Sequence, residues 1–436
     1  MTPGFADENL LRALAPQVLG ALLRRYGASQ FDLCEDAVQD ALLAAYEQWP
    51  RRGNPDDPLA WLITTAQRRL IDHIRSEKRR RDRELTHARL SPAGIAQLRE
   101  RPGSQAGAEV EAEARVGATD DSVQLLRLCC HPSLSPAAQV ALTLRAVAGL
   151  TTAQIARAYL LPEATVAQRI TRAKARIRDA GAVFPSPTDA EDRITSVLTV
   201  LYLMFNEGHT ATAGPAVHDV ELSGEAIRLA RMVCSESPER LSDRLSEHGE
   251  AAGLLALMLL TDARRPARTT PDGALVPLDE QDRSLWNQAA IDEGVAILER
   301  TLLGRRPSAY LLQASIAALH DEAPSTDETD WPQILILYKL LERETGNPVV
   351  TLNRAVAEAM VHGPTAGLAI VDRLLVDPVK AKRLAAEPHR VLAVRAHLLE
   401  QAGEREAAID AYRSAARATA SIPERDYLLA RARRMT

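Results

Sequence analysis

Thr165, Gln168, Arg169, Arg172 and Arg176 recur every three or four residues in the stretch EATVAQRITRAKARIR. On a helix that spacing puts a hydroxyl, an amide and three guanidiniums on one side. In the major groove a guanidinium pairs bidentately with guanine and an amide with adenine. The later cations, Lys174, Arg176 and Arg178, are of the type that grips phosphates. Val166, Ile170, Ala173 and Ile177 make the packing stripe on the other side. Leu161-Pro162 breaks the chain just before, and Pro suits the first position of the helix that follows. Thr151-Thr152 can cap a shorter preceding helix, TAQIARAYL, with Ile155 and Ala156 facing inward. Together they have helix-turn-helix length. The competing reading is an ordinary solvated helix with snorkelling arginines.

A second basic helix weakens that competitor. Residues 67–83 carry eight cations (Arg68, Arg69, Arg75, Lys78, Arg79, Arg80, Arg81 and Arg83) against three acidic residues. Leu62, Leu70, Ile71 and Ile74 supply its buried side. Trp61 and His73 add flat rings that can stack on unpaired bases, although Trp61 serves equally well as core. Upstream, EDAVQDALLAAYEQW is an amphipathic helix whose outer side shows Asp36, Gln39, Asp40 and Leu43. An acidic face repels nucleic acid and suits a basic protein partner.

These helices must be positioned by a chain of 436 residues, long enough for two or three domains. Few aromatics and many Ala, Leu and Arg favour an all-α fold. The net charge of −5 hides a split: residues 1–180 hold 25 basic against 21 acidic side chains, and the rest 28 against 37. A basic front half and an acidic back half point to a polyanion partner for the first. The acidic half is expected to fold back on the basic faces when no other partner is present. No run reaches membrane-span length, and MTPGFADENLLRALAP lacks the pattern of a secretory leader. Four cysteines without framework spacing fit a reducing, cytoplasmic location.

In order, these segments resemble the extracytoplasmic-function (ECF) sigma factors of bacterial RNA polymerase. EDAVQDALLAAYEQW looks like the region-two segment that docks on the polymerase clamp helices, which assigns Asp36, Gln39, Asp40 and Leu43 to polymerase binding. PLAWLITTAQRRLIDHIRSEKRR resembles the segment that melts and reads the −10 promoter element, implicating Trp61, Arg68, Arg69, His73, Arg75, Lys78 and Arg79. The helix-turn-helix resembles the region-four reader of the −35 element, implicating Thr165, Gln168, Arg169, Arg172, Lys174 and Arg176. LRLCCHPSLSPAAQVALTLRAVAGLTTAQIA, LYLMFNEGH, ELSGEAIRLARMV, DARRPART and DEQDRSLWN look like signatures of a branch with a tetratricopeptide-like C-terminal extension. The resemblance implies a regulatory or supporting role for that extension, with core polymerase and promoter DNA as partners. It also makes small YCII-related proteins candidate partners, and implies no membrane contact. Ala164 and Ala167 stand where many relatives carry Gly or Lys, so a promoter sequence does not carry over.

The expected organisation is region two over 1–84, a flexible linker over 85–121, region four over 122–181, and the helical extension over 189–436. Ala396, Gly403, Ala408, Tyr412 and Ala415 have tetratricopeptide spacing near the end, with Gly363 marking a further helix pair. Cys129-Cys130-His131 is read as a packed helix end rather than a zinc site, since adjacent cysteines reach one tetrahedral ion poorly. Asn206, Glu207 and His209 form a turn that either docks the extension or simply ends a helix. Arg264, Arg265, Arg268, Asp282 and Arg283 suggest an interdomain ion network, a ligand pocket or a solvated loop. No phosphate-cradling Gly loop, GxSxG or HExxH motif occurs, so the reading is a binding protein without catalysis or cofactor. The rival readings are a helix-turn-helix regulator acting without polymerase and a tetratricopeptide scaffold.

Overall fold

The computed structural model describes residues 8–89, 121–159, 161–185, 194–211, 213–235, 245–303, 307–385 and 388–436. The chain divides into two compact units, Met1–Ile155 with Glu163–Arg193, and Ala156–Pro162 with Ile194–Thr436. The described residues are almost entirely helical. None of their helices is long and apolar enough to cross a membrane.

The first unit opens with α1 (Glu8–Tyr26), a 3-10 turn (Ala28–Gln30), α2 (Phe31–Arg52) and α3 (Pro58–Arg89). Val18, Leu22, Val38, Ala41, Ala45, Leu62, Ala66 and Leu70 recur at helical spacing and are buried between them. Gly53 adopts φ +83, which ends α2, and Asp57 Oδ1 accepts the Ala60 N–H at 2.9 Å to cap α3. Beyond that point α3 runs past the expected boundary at residue 84 to Arg89, because EKRRRDRELTHAR is made largely of good helix formers. Most of the expected linker, residues 90–120, lies outside the described residues.

Next come α4 (Ser122–Cys129), α5 (Pro136–Ala146), α6 (Thr152–Ala158), which is divided between the units after Ile155, and α7 (Glu163–Asp179) of the first unit. The Cys129-Cys130-His131 segment is a packed helix end. Both thiols are buried, and Gln139 Nε2 donates to the Cys130 and His131 carbonyls at 3.1 and 3.2 Å. Within the unit, α4 packs on α1 and α7 packs on α2. Glu35 of α2 is the electrostatic centre of that contact. It accepts Arg145 Nε at 2.8 Å and the Lys174 ammonium, which also reaches Asp32 at 3.0 Å and lies over the Phe31 ring. Removing one partner of a nearly buried ion pair strands the other's charge, which costs about 3–5 kcal/mol. Glu35→Ala is therefore expected to destabilise this unit by about 3 kcal/mol, read as faster native-state hydrogen exchange across α2 and α7.

The second unit is a run of helices. They are α8 (Ile194–His209), α9 (Val220–Ser235), α10 (Leu245–Ala263), α11 (Gln288–Leu302), α12 (Ala309–Glu322), α13 (Trp331–Thr345), α14 (Pro348–His362), α15 (Pro364–Val376), α16 (Pro378–Leu384), α17 (Pro388–Gln401), α18 (Arg405–Ala418) and α19 (Ile422–Arg434). Asn347-Pro348, Gly363-Pro364 and Asp377-Pro378 start successive helices, with Pro where its missing N–H costs nothing. Ala396, Ala408, Tyr412 and Ala415 are buried at the α17–α18 seam, and Gly403 turns between them at φ +78, as the tetratricopeptide spacing predicts. Two short strands, β1 (Ala213–Gly214) and β2 (Ala420–Ser421), pair in parallel and tie the start of the unit to its last helix. A Cβ at Gly367 would lie 2.5 Å from the Ala355 carbonyl oxygen, so α14 and α15 touch through backbone. Gly367→Ala is expected to cost about 1–3 kcal/mol through overpacking, checked by thermal denaturation.

Candidate nucleic-acid interface

The helix α7 is divided as its sequence requires. Val166, Ile170, Ala173 and Ile177 are buried, while Thr165, Gln168, Arg172 and Arg176 are exposed and Arg169 is half-buried. None of these five polar side chains makes a side-chain hydrogen bond or ion pair with another described residue. They form an open row that carries three cations, Arg169, Arg172 and Arg176. Lys174 does not belong to that row. It lies nine residues after Thr165, two and a half turns on, and its side chain is 13% exposed within the Glu35 cluster. Before the turn, Thr151 Oγ1 accepts the Gln154 N–H at 3.1 Å while Gln154 Oε1 accepts the Thr151 N–H at 2.8 Å, a reciprocal capping box. Ile155 and Ala156 of α6 are buried as expected.

A second open face lies on α3. Trp61, Arg68, Arg75 and Arg79 are spaced by multiples of the helical turn, so they line one side. The three arginines are exposed, as is the flanking Arg69. The Lys78 side chain lies outside the described residues. Trp61 is half-buried, its ring edge-on to Trp49 at 5.5 Å between centroids, so it serves the core on one edge and keeps the other accessible. His73 turns toward α2, where Nε2 sits 3.3 Å from Asp40 Oδ2.

On α2 the acidic row continues into exposed apolar side chains. Asp36 and Gln39 are exposed, Asp40 is half-buried, and Leu43 and Tyr46 are 58% and 51% exposed. Burial and the neighbouring Glu35 carboxylate raise the Asp36 carboxyl above its ordinary range. The sequence reading missed Tyr46, although its place three residues after Leu43 puts it on the same side.

Residues 10–80 match the family model of sigma-70 region 2, and residues 128–177 that of sigma-70 region 4. A probable ECF RNA polymerase sigma factor, SigI of Mycobacterium tuberculosis, is 31% identical over 167 residues, 38% of this chain and 52% of that protein. The chain belongs to the ECF sigma factors. This sigma factor is also 42% identical over 374 residues to an uncharacterised protein, R00370, of Rhizobium meliloti, covering 85% of this chain and 83% of that one. Residues 193–302 match a family of unknown function, DUF6596. No solved structure matches.

The remaining residues singled out from the sequence lie in that extension. Asn206, Glu207 and His209 form the last turn of α8, with Asn206 exposed and Gly208 packed against the Leu222–Ser223 backbone of α9. His209 lines a pocket together with Arg264. Asp282 is exposed and used locally, accepting from the Ser284 N–H at 2.9 Å and hydroxyl at 2.7 Å. Those two bonds hold its carboxyl below the usual range.

The capping box gives a direct check on the helix-turn-helix. Loss of an N-cap hydroxyl costs about 1 kcal/mol. Thr151→Ala is expected to lose that amount and to raise hydrogen exchange in the first turn of α6.

Proposed function

We propose that this sigma factor binds core RNA polymerase and directs it to promoters carrying a −10 and a −35 element. What carries the reading is the open row on α7, where Thr165, Gln168, Arg169, Arg172 and Arg176 face outward with no protein partner among the described residues. A helix with such a face fits the major groove, with the first residues on base edges and the later cation on phosphate. Region two supplies the other contacts. Asp36, Gln39, Asp40 and Leu43 meet the polymerase, extended by Tyr46. The Trp61–Arg68–Arg75–Arg79 line, flanked by Arg69 and His73, takes the unpaired −10 bases by stacking and charge. The C-terminal helical unit modulates this activity. The mechanism is association without covalent chemistry. The acidic, apolar row on α2 supports this reading over that of a regulator acting on duplex alone, which leaves that row unused.

The test is run-off transcription with bacterial core polymerase on genomic promoter fragments, including the region upstream of this gene. Full-length protein is expected to yield discrete start sites. One lost arginine–guanine pair is worth about 1–3 kcal/mol, so Arg172→Ala should weaken these transcripts by roughly 5- to 100-fold and relax preference at one −35 position. Leu43→Asp should abolish core binding in a pull-down while leaving duplex binding intact. Tight duplex binding without any transcript would refute the proposal.

A further inference from the structure

After α10 ends at Ala263, three arginines fall within five residues, Arg264, Arg265 and Arg268. The chain turns through a short 3-10 segment (Arg265–Ala267) and doubles back with a bridge between Thr269 and Leu275. The three guanidiniums are satisfied differently. Arg264 pairs with the buried Asp321 at 2.5 Å and donates to the Ala317 carbonyl at 2.8 Å. Arg265 pairs with Asp262 at 3.1 Å. Arg268 has no carboxylate within ion-pair distance among the described residues. It donates instead to the His209 carbonyl at 2.5 Å and to Thr210 Oγ1 at 2.9 Å.

Arg268 borders a pocket of about 210 Å³, lined also by His209, Arg264, Gln281, Leu275 and Leu278. Two lining residues have buried polar atoms with no hydrogen-bond partner, His209 Nδ1 and Gln281 Oε1. Gln281 is oriented by its own amide, which donates to the Val276 carbonyl at 3.2 Å. A buried polar atom without a partner carries a desolvation cost, and these two atoms have none among the described residues.

We propose that this pocket in the C-terminal extension binds a small organic anion through Arg268, with a donor group on the same ligand meeting Gln281 Oε1. The guanidinium supplies a charge-assisted site for carboxylate or phosphate oxygens. Leu275 and Leu278 form the apolar wall of a site sized for a small metabolite. The local field has the matching sign. Burial and the neighbouring Arg264 push the Arg268 guanidinium down to about 10. Burial and then Arg268 also hold the His209 and His218 imidazoles below their ordinary values. Both walls connect to the end of the chain. His209 precedes β1, which pairs with β2, and Glu280 beside Gln281 receives Arg431 at 3.2 Å.

The experiment is calorimetric titration of the full-length protein with hydrogen phosphate and, separately, glycolate, at ionic strength held constant with sodium chloride. Each probe carries an anionic oxygen and a hydroxyl donor, and whichever binds identifies the acid group. Saturable binding to at least one probe is expected, weakened at least tenfold in Arg268→Gln. Because Arg268 also ties down His209 and Thr210, Gln281→Glu is the second variant. It adds a competing carboxylate to the pocket without touching those bonds, and should weaken binding equally. No saturable heat from either probe, or unchanged affinity in both variants, overturns the proposal.

Discussion

The four apolar side chains that α7 must hide set the orientation of everything else on that helix. Burying an aliphatic side chain is worth about 1.5–3 kcal/mol, and Val166, Ile170 and Ile177 are all buried together with Ala173. An exposed ion pair contributes about 0–1 kcal/mol. The apolar stripe therefore decides how α7 is rotated about its axis, and the cations take whatever side remains. The open row from Thr165 to Arg176 is a consequence of packing. The same constraint sends Lys174 inward, where only a carboxylate can make its burial tolerable, and Glu35 and Asp32 provide one.

Periodic and local features were legible in the sequence, and pairings across long separations were not. The α7 stripe, the Thr151–Gln154 cap region and the Ala396–Gly403–Tyr412 spacing each depend on neighbours within about one helix pair. The Glu35–Lys174 pair joins residues 139 apart, and β1 meets β2 across most of the second unit. No spacing rule reaches that far. Some of what was missed was nonetheless present in the sequence. Lys174 sits opposite Thr165 on any helical projection, and Tyr46 follows Leu43 by three. The α3 helix continues to Arg89 because Glu84, Leu85, Ala88 and Arg89 are good helix formers, although the composition beyond residue 84 turns toward Ala, Gly, Ser and Pro. The sequence left Arg268 and its neighbours as an ion network, a ligand pocket or a solvated loop, since nothing local distinguishes a guanidinium that will find a carboxylate from one that will not.

The two units handle buried cations in opposite ways. In the first, Lys174 and Arg145 share the Glu35 carboxylate, and Lys174 adds Asp32 and the Phe31 ring, so the cluster is closed. In the second, Arg264 is closed by Asp321, but Arg268 donates to a carbonyl and a hydroxyl and has no carboxylate within ion-pair distance among the described residues. Neutral acceptors orient a guanidinium without cancelling its charge. The Arg268 site thus combines a guanidinium that has no ion-pair partner with two buried polar atoms that have no hydrogen-bond partner among the described residues. That contrast, more than the pocket's shape, separates the Arg268 region from the structural ion pairs elsewhere in the chain.

The α2 helix carries the heaviest combination of demands. One side packs against α1 and α3 through Cys34, Val38, Ala41 and Ala45. Asp36, Gln39, Asp40, Leu43 and Tyr46 face outward. Between those sides, Glu35 holds α7 through Lys174. Because a helix turns about 100° per residue, adjacent positions 35 and 36 serve an internal contact and an external row with no backbone freedom between them. Burial and the Glu35 charge already raise the Asp36 carboxyl, so the two carboxylates sense each other directly. Lys174 acts on Asp36 in the opposite sense, so the outer row of α2 and the contact with α7 share one local field.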